Sequence, residues 1–135
     1  MNVKDLDGNI SKWHLTGYIA KGAVTKKSSL HLKARQLIKE CNPTLQILEE
    51  VPINPRRSET LYLDFYLPLT KTCIEVHGEQ HYKFVPFYHT TKLGFFKHKK
   101  RDQDKKDWCE TNGIKIVELS YAESQEEWLK KIKDE

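Results

Sequence analysis

The sequence has few of the features that mark disulfide-stapled, zinc-binding or membrane proteins. Its three cysteines, Cys41, Cys73 and Cys109, are odd in number and lack the close spacing of metal-ligand pairs. No apolar run approaches the ~18 residues of a membrane helix, and the first residues lack the apolar region of a signal peptide. We therefore expect small buried cysteines, no membrane association and a cytoplasmic location.

The chain also lacks an internal repeat and a linker that would divide it into two large domains. With 135 residues it is long enough to bury one hydrophobic core. A turn signal around Gly8 predicts a small β-hairpin within residues 3–18, and residues 21–27 are typical of a flexible basic connector. We expect residues 1–27 to form this N-terminal part and residues 28–135 to form the main domain.

Charge is distributed unevenly along the chain. The net charge is +4, but residues 83–106 carry eight Lys or Arg against two Asp or Glu, whereas residues 61–82 carry one against three. A strongly basic segment therefore directly follows an acidic one. This order favours binding of a polyanion whose phosphates meet both basic side chains and a carboxylate-bound cation. The alternative is that the basic run is only the solvated face of a helix.

The acidic segment has the pattern of a β-hairpin. Residues 61–67 and 72–77 are rich in aromatic and β-branched side chains, and Pro68 ends the first run. A tight turn between the runs places Asp64 directly opposite Glu75. Because side chains alternate along a strand, Glu75 and His77 are predicted to point to the same side as Asp64.

Two carboxylates at opposed hairpin positions suggest a metal. Opposed Cβ atoms lie roughly 4.5 to 5.5 Å apart, where like charges are destabilising unless something neutralises them. Mg²⁺ suits this role because it prefers a few carboxylate oxygens and retains several waters. Two alternatives stay open: a solvated polar face on an edge hairpin, or a register slip of one residue that separates Asp64 from Glu75.

The remaining patterns predict helices and strands around this hairpin. Together they favour an α/β fold: a single domain with a central mixed β-sheet flanked by helices. The predicted elements are a helix from Ser28 or Ser29 to about Glu40, a strand within 45–53, an irregular segment 78–94, a helix 96–111 ending at Asn112-Gly113, a strand 114–119 that a crossover places inside the sheet, and a helix opened by the capping box at Ser124.

These residues resemble the PD-(D/E)xK nuclease superfamily. The matching positions, within residues 28–121, are Asp64, then Glu75-Val76-His77-Gly78 with Gln80-His81, then Arg101-Asp102 and Lys105. The continuation after Glu75 is similar to the branch that contains very-short-patch repair endonucleases and phage homing endonucleases with an EDxHD site. The resemblance implies a restriction-endonuclease-like core and, for a phage-encoded protein, a location in the host cytoplasm.

The resemblance also implies the site residues. It makes Asp64 and Glu75 ligands of Mg²⁺, or of Mn²⁺ in its place, with the carbonyl of Val76 completing the shell. The implied catalytic residues are Asp64, Glu75, His77, Gln80, His81 and Asp102. Among them His81 is the general base, Gln80 orients water or a phosphate, and His77 stands where the superfamily usually has Lys. Asp102 matches the last Asp of EDxHD, although surface ion pairing would also explain it.

The implied function is hydrolysis of DNA phosphodiester bonds by a homing- or repair-type endonuclease. The residues expected to bind DNA are Arg56, Arg57, Lys83, Lys97, Lys100, Arg101 and Lys105. The N-terminal hairpin would be either a further DNA contact or a lid over the core. A single domain that cuts both strands would need to act as a homodimer on DNA.

One departure from the family favours a second hypothesis. Nucleases of this branch usually carry Glu on the first helix, whereas this sequence has Ser28-Ser29-Leu30-His31. The alternative is therefore a catalytically weak or inactive DNA-binding protein with the nuclease fold. A third hypothesis is a metal-dependent hydrolase of a small phosphate compound, which would not need salt-sensitive DNA binding.

Overall fold

The computed structural model describes residues 1–13, 15, 29–89 and 91–133. The predicted connector at residues 21–27 lies outside them. In chain order the helices and strands are β1 (Asn2–Lys4), β2 (Ile10–Lys12), α1 (Ser29–Cys41), β3 (Leu48–Ile53), β4 (Leu61–Leu67), β5 (Thr72–His77), a 3₁₀ turn (Glu79–His81), α2 (Pro86–His89), α3 (Lys92–Thr111), β6 (Lys115–Ser120) and α4 (Gln125–Lys133).

A four-stranded mixed sheet forms the centre of the fold. Its strand order is β3-β4-β5-β6, with antiparallel pairing between the first three strands and parallel pairing of β5 with β6. The α3 helix makes the crossover that parallel neighbours require. The predicted α/β class, with helices around a mixed sheet and an N-terminal hairpin, is confirmed. The expectation that β6 lies inside the sheet is wrong, because β6 ends the strand order and pairs with β5 alone among the described strands.

The β4–β5 hairpin has the predicted register. Phe65 pairs with Ile74 and Leu67 with Thr72, so Asp64 comes opposite Glu75. A four-residue turn, 68–71, joins the strands, and Lys71 accommodates it with a φ of +51°. The turn length and the apolar alternation together determine which residues face each other.

The alternation of side chains reverses near Asp64. Leu63 packs in the core on the α3 side of the sheet, but Phe65, two residues on, packs on the α1 side. The neighbouring strand β3 breaks at the same place, since Glu49 pairs with Phe65 and Val51 with Leu63 while Glu50 has a φ of +53°. The two strands therefore twist locally at the level of the predicted carboxylate pair.

Two apolar clusters cover the faces of the sheet. One contains Trp108 of α3 together with Val3 and Trp13 of the N-terminal region, so the hairpin packs against the core. The other joins α1 and α4 to the opposite face of the sheet and includes Phe65 of β4. Cys73 and Cys109 are buried free thiols, as expected, whereas Cys41 is half-buried.

Helix boundaries follow their capping signals. The α3 helix starts at Lys92, earlier than the predicted residue 96, because the Thr91 side chain accepts a hydrogen bond from the Gly94 N–H. It ends as predicted before Gly113, whose φ of +68° suits glycine. The Ser124 capping box opens α4. Among the described helices none is both long enough and apolar enough to cross a bilayer.

Candidate functional site

The carboxylates of Asp64 and Glu75 each accept a hydrogen bond from a backbone N–H of the facing strand. The Asp64 N–H donates to Glu75 Oε2 at 2.6 Å, and the Val76 N–H donates to Asp64 Oδ2 at 2.9 Å. Each carboxylate therefore reaches across to the backbone of the facing strand. The predicted adjacency of Asp64 and Glu75 is confirmed, and these bonds tie each carboxylate to the backbone of the facing strand.

Lys105 supplies the positive charge beside this pair. Its Nζ lies 2.9 Å from Glu75 Oε1, and Glu75 is only 2% exposed. Burial opposes the charged form of Lys105, but Glu75 and Asp64 outweigh it and raise the pKa of the ammonium. Burial, together with the Glu75 charge, raises the pKa of Asp64 to about 7. Lys105 was expected to grip DNA on a surface stripe; the structure instead places it against the carboxylates.

A histidine–aspartate pair stands beside the carboxylates. His81 Nδ1 donates to Asp102 Oδ2 at 2.7 Å. Burial raises the pKa of Asp102, but the hydrogen bond and charge of His81 outweigh it and lower the pKa overall. With Nδ1 committed to Asp102, the other ring nitrogen of neutral His81 is the one that can accept a proton. Asp102 is thus the hydrogen-bonding partner of His81.

His77 lies behind His81 instead of beside Asp64. Its ring stacks on that of His81 with a centroid distance of 4.2 Å, and its Nδ1 is 3.1 Å from Glu118 Oε2. The hydrogen bond with His77, aided by Lys106, lowers the pKa of Glu118 to about 2. His77 shares the side of β5 on which Glu75 meets Lys105, as its two-residue spacing predicts. Its contacts suit positioning of His81 more than contact with a substrate.

Four further residues, His31 and Arg35 of α1 with Glu49 and Glu50 of β3, lie at or next to the site. His31 Nε2 lies 2.6 Å from Glu49 Oε1, and Arg35 donates to the same oxygen at 2.9 Å. The ring of His31 stacks on Phe65 with a centroid distance of 4.5 Å. Ligand atoms of His31, Glu50 and Asp64 lie within 4.8 Å of one another, and the same holds for His77, His81 and Asp102.

These α1 and β3 residues were missed by the sequence reasoning. His31 and Arg35 are four residues apart on a helix and therefore share a face, which is the signal that could have identified them. Glu50 carried no such signal, because its position depends on the local reversal of β3.

One open cleft is lined by most of the candidate site residues. Its volume is about 850 Å³, and Asp64 lies in its wall. The predicted residues in the lining are Asp64, Val76, Gln80, His81, Arg101, Asp102 and Lys105. Lining residues that were not predicted include His31, Glu50 and His98. Glu75 and His77 lie behind the wall, in contact with lining residues.

The predicted DNA-binding residues divide into two groups. Arg101 is exposed and lines the cleft, and exposed Lys97 and Lys100 precede it on α3. Arg57 and Lys83 are also exposed, outside that helix. Arg56, in contrast, binds buried Asp104 at 2.6 Å and so helps to hold its loop against α3.

Comparison with known proteins finds relatives in viruses. The uncharacterized protein 307L of Invertebrate iridescent virus 6 is 38% identical over 62 residues, which are 46% of this chain and 32% of that protein. The uncharacterized protein 094L of Frog virus 3 (isolate Goorha) is 35% identical over 82 residues, 59% of this chain and 53% of that protein. The uncharacterized protein 033L of Invertebrate iridescent virus 3 is 30% identical over 92 residues, 62% of this chain and 47% of that protein.

The chain thus matches between about a third and about half of the length of these relatives. No protein-family model and no solved structure matches it. Since the names of the relatives state no activity, a function has to be argued from the site.

Proposed function

We propose that the protein is a divalent-cation-dependent DNA endonuclease of the PD-(D/E)xK kind, acting in homing or repair. The observation that carries the proposal is the grouping around one cleft of Asp64, Lys105 and the His81–Asp102 pair, with Glu75 bound directly behind. A carboxylate, a half-buried cation beside it and an oriented imidazole are groups that can catalyse hydrolysis of a phosphodiester.

The donor set fits a hard divalent cation. Asp64 Oδ2 accepts from Val76, which leaves its second oxygen to hold a cation, and Val76 lines the same cleft. Mg²⁺, or Mn²⁺ in its place, would bind Asp64 with Glu75 and the Val76 carbonyl as the predicted partners. The cation would lower the pKa of a bound water and stabilise negative charge on the phosphate.

The remaining groups have distinct roles in the proposal. His81, oriented by Asp102, takes the proton from the attacking water. Lys105 lies where it can balance charge next to Asp64 and Glu75. Gln80, on the 3₁₀ turn next to His81, orients the water or a phosphate oxygen.

The substrate class follows from charge on α3. Exposed Lys97, Lys100 and Arg101 lie on a helix that also supplies Asp102 and Lys105 to the site. A polyanion bound along these cations would bring a phosphate to the cleft. We propose DNA as this polyanion and a homodimer for cleavage of both strands. The viral relatives are compatible with action in the cytoplasm of a host cell.

Cleavage of plasmid DNA tests the proposal. The parent protein should convert supercoiled DNA to nicked or linear DNA in Mg²⁺ or Mn²⁺, and Asp64→Ala and His81→Ala should lose at least about a hundredfold in rate. Glu59→Ala is the matched control, because Glu59 lines the cleft but is bound to Arg56 at 3.4 Å. If Asp64→Ala cleaves as fast as the parent protein, the proposal fails. Branched and mismatched substrates would separate repair from homing.

A second candidate is a DNA-binding protein with the nuclease fold and little or no activity. The contacts of Glu75 favour this candidate, because both of its carboxylate oxygens already accept hydrogen bonds, one from Lys105 and one from the Asp64 N–H. Such a protein would bind DNA in EDTA with strong salt dependence and cleave none of the substrates in any divalent cation.

A further inference from the structure

We infer that the cleft binds unpaired nucleotides of DNA, and that the ring of Tyr62 is the surface on which a base stacks. This preference rests on the DNA-binding function proposed above and narrows its substrate to a single strand, a flap or a loop, as opposed to a continuous duplex. Three features of the cleft support it: the division of the sheet at this point, the exposed aromatic ring in the wall, and the difference in charge between the walls.

The central sheet divides where the cleft begins. Backbone pairing of β4 with β5 runs from Leu67 to Phe65 and ends there. One residue further, the Asp64 N–H donates to the Glu75 carboxylate and the Val76 N–H donates to the Asp64 carboxylate, so side-chain oxygens replace the backbone acceptors. Beyond this point β4 continues beside β3, and β5 continues beside β6. The cleft therefore lies between two separate strand pairs.

The size of this cleft suits one strand of nucleic acid better than two. Its volume of about 850 Å³ falls within the roughly 300 to 1,000 Å³ of sites that enclose one small molecule. Asp64 lies in the wall, so a phosphate has to enter the cleft to reach its carboxylate. An unpaired strand can bend into such a space because its bases are free to leave the stack, whereas base pairing holds the two strands of a duplex together.

Tyr62 provides an aromatic surface in the wall of the cleft. It is 50% exposed, whereas its neighbours Leu61 and Leu63 are buried in the core and fix the strand. Pairing with Pro52 of β3 also holds its backbone. Among the described residues, none makes a ring contact or a hydrogen bond with the Tyr62 side chain. Every base has a π-face that can stack on such a ring, and a ring fixed before binding lowers the entropic cost.

The walls of the cleft differ in charge. The described lining residues from β4 and the loop before it, 58–62 and 64, include two carboxylates, Glu59 and Asp64, and no Lys or Arg. This wall therefore offers no positive charge to a phosphate. The lining residues from α3, in contrast, include Arg101 and Lys105. A bound strand would lie with its phosphates toward α3 and its bases toward Tyr62.

Binding of labelled oligonucleotides in EDTA, followed by fluorescence anisotropy, tests the inference. The parent protein should bind a single strand of mixed sequence about tenfold more tightly than the same sequence in a duplex. Tyr62→Ala should weaken binding of the single strand by about tenfold, whereas Tyr62→Phe, which keeps the ring, should bind within about twofold of the parent. Neither substitution should change the slope of log affinity against log salt, because the ring contacts a base and not a phosphate.

Leu69→Ala is the matched control. Leu69 is 78% exposed in the turn at the other end of the same hairpin and lies outside the cleft lining, so its replacement should leave the affinity for the single strand unchanged. A single strand that contains 2-aminopurine adds a direct readout of stacking. Its fluorescence should be quenched on binding to the parent and to Tyr62→Phe, but not on binding to Tyr62→Ala. Far-ultraviolet circular dichroism checks that each variant is folded.

The outcomes separate this preference from the proposed function. Equal or tighter binding of the duplex by the parent, or an unchanged affinity of Tyr62→Ala for the single strand, would overturn the inference and leave the nuclease proposal standing. No binding to either form would overturn both. Because the measurement contains no divalent cation and no cleavage step, a protein that prefers the single strand but cleaves no DNA would disprove the nuclease proposal alone.

Discussion

Replacement of Asp64 by Asn should stabilise the protein in EDTA at neutral and higher pH. Burial and the Glu75 charge raise the pKa of Asp64 to about 7, so the folded protein disfavours the ionised carboxyl. Asparagine has nearly the same shape, and its amide oxygen can still accept the Val76 N–H that Asp64 Oδ2 accepts at 2.9 Å. The substitution therefore removes a charge while it retains the hydrogen bond between strands.

The size of the effect follows from the linkage of ionisation to folding. A rise in the pKa from 3.8 to about 7 corresponds to at most about 4 kcal/mol of destabilisation once the carboxyl is ionised in both states. Because Asp64 lies in the wall of an open cleft, where water relieves part of this penalty, we expect about 2 kcal/mol.

The destabilisation caused by ionised Asp64 has a defined pH range. The folded pKa lies above the unfolded value, so the penalty is absent below about pH 4, grows as the pH rises, and is complete above about pH 7. The stability advantage of Asp64→Asn should follow the same course.

Urea unfolding in EDTA at pH 4.5 and pH 8 measures this advantage. We expect the variant to exceed the parent by about 2 kcal/mol at pH 8 and by much less at pH 4.5. Asp7→Asn is the control, because Asp7 is exposed in the N-terminal turn and should show no comparable change. A variant that is less stable than the parent at pH 8, or whose advantage is independent of pH, would refute the reasoning.

Two further predictions concern the cations around the cleft. Lys105→Met should destabilise the protein by about 3 kcal/mol in urea unfolding, because it leaves the Glu75 carboxylate, 2% exposed, without its ion pair; a loss below about 0.5 kcal/mol would show that the pair is not needed. Arg101→Ala should weaken DNA binding and reduce the slope of log affinity against log salt by about 1, measured by fluorescence anisotropy. Lys39→Ala, at an exposed position of α1 away from the cleft lining, should leave that slope unchanged, and an unchanged slope for Arg101→Ala would mean that Arg101 touches no phosphate.

Local patterns were sufficient for most of the fold. Apolar alternation and a short turn predicted the pairing of Phe65 with Ile74, and through it the approach of Asp64 to Glu75. Capping chemistry predicted the end of α3 at Gly113 and the start of α4 at Ser124. The position of β6 at the edge of the sheet was not predicted, because the order of strands along the chain does not determine their order in the sheet.

The sequence by itself determined which groups come close along one hairpin, because strand pairing is set by neighbours in the chain. Only the tertiary structure decided which groups meet from separate elements. The sequence alone predicted that Lys105 lies on the surface. In the structure, the packing of α3 brings Lys105 into contact with Glu75. His31 and Glu50 come near Asp64 only because α1 contacts β3 through Glu49, next to the residue at which the strand has a positive φ. Such contacts depend on how helices pack and on one backbone conformation, and neither leaves a periodic signal in the sequence.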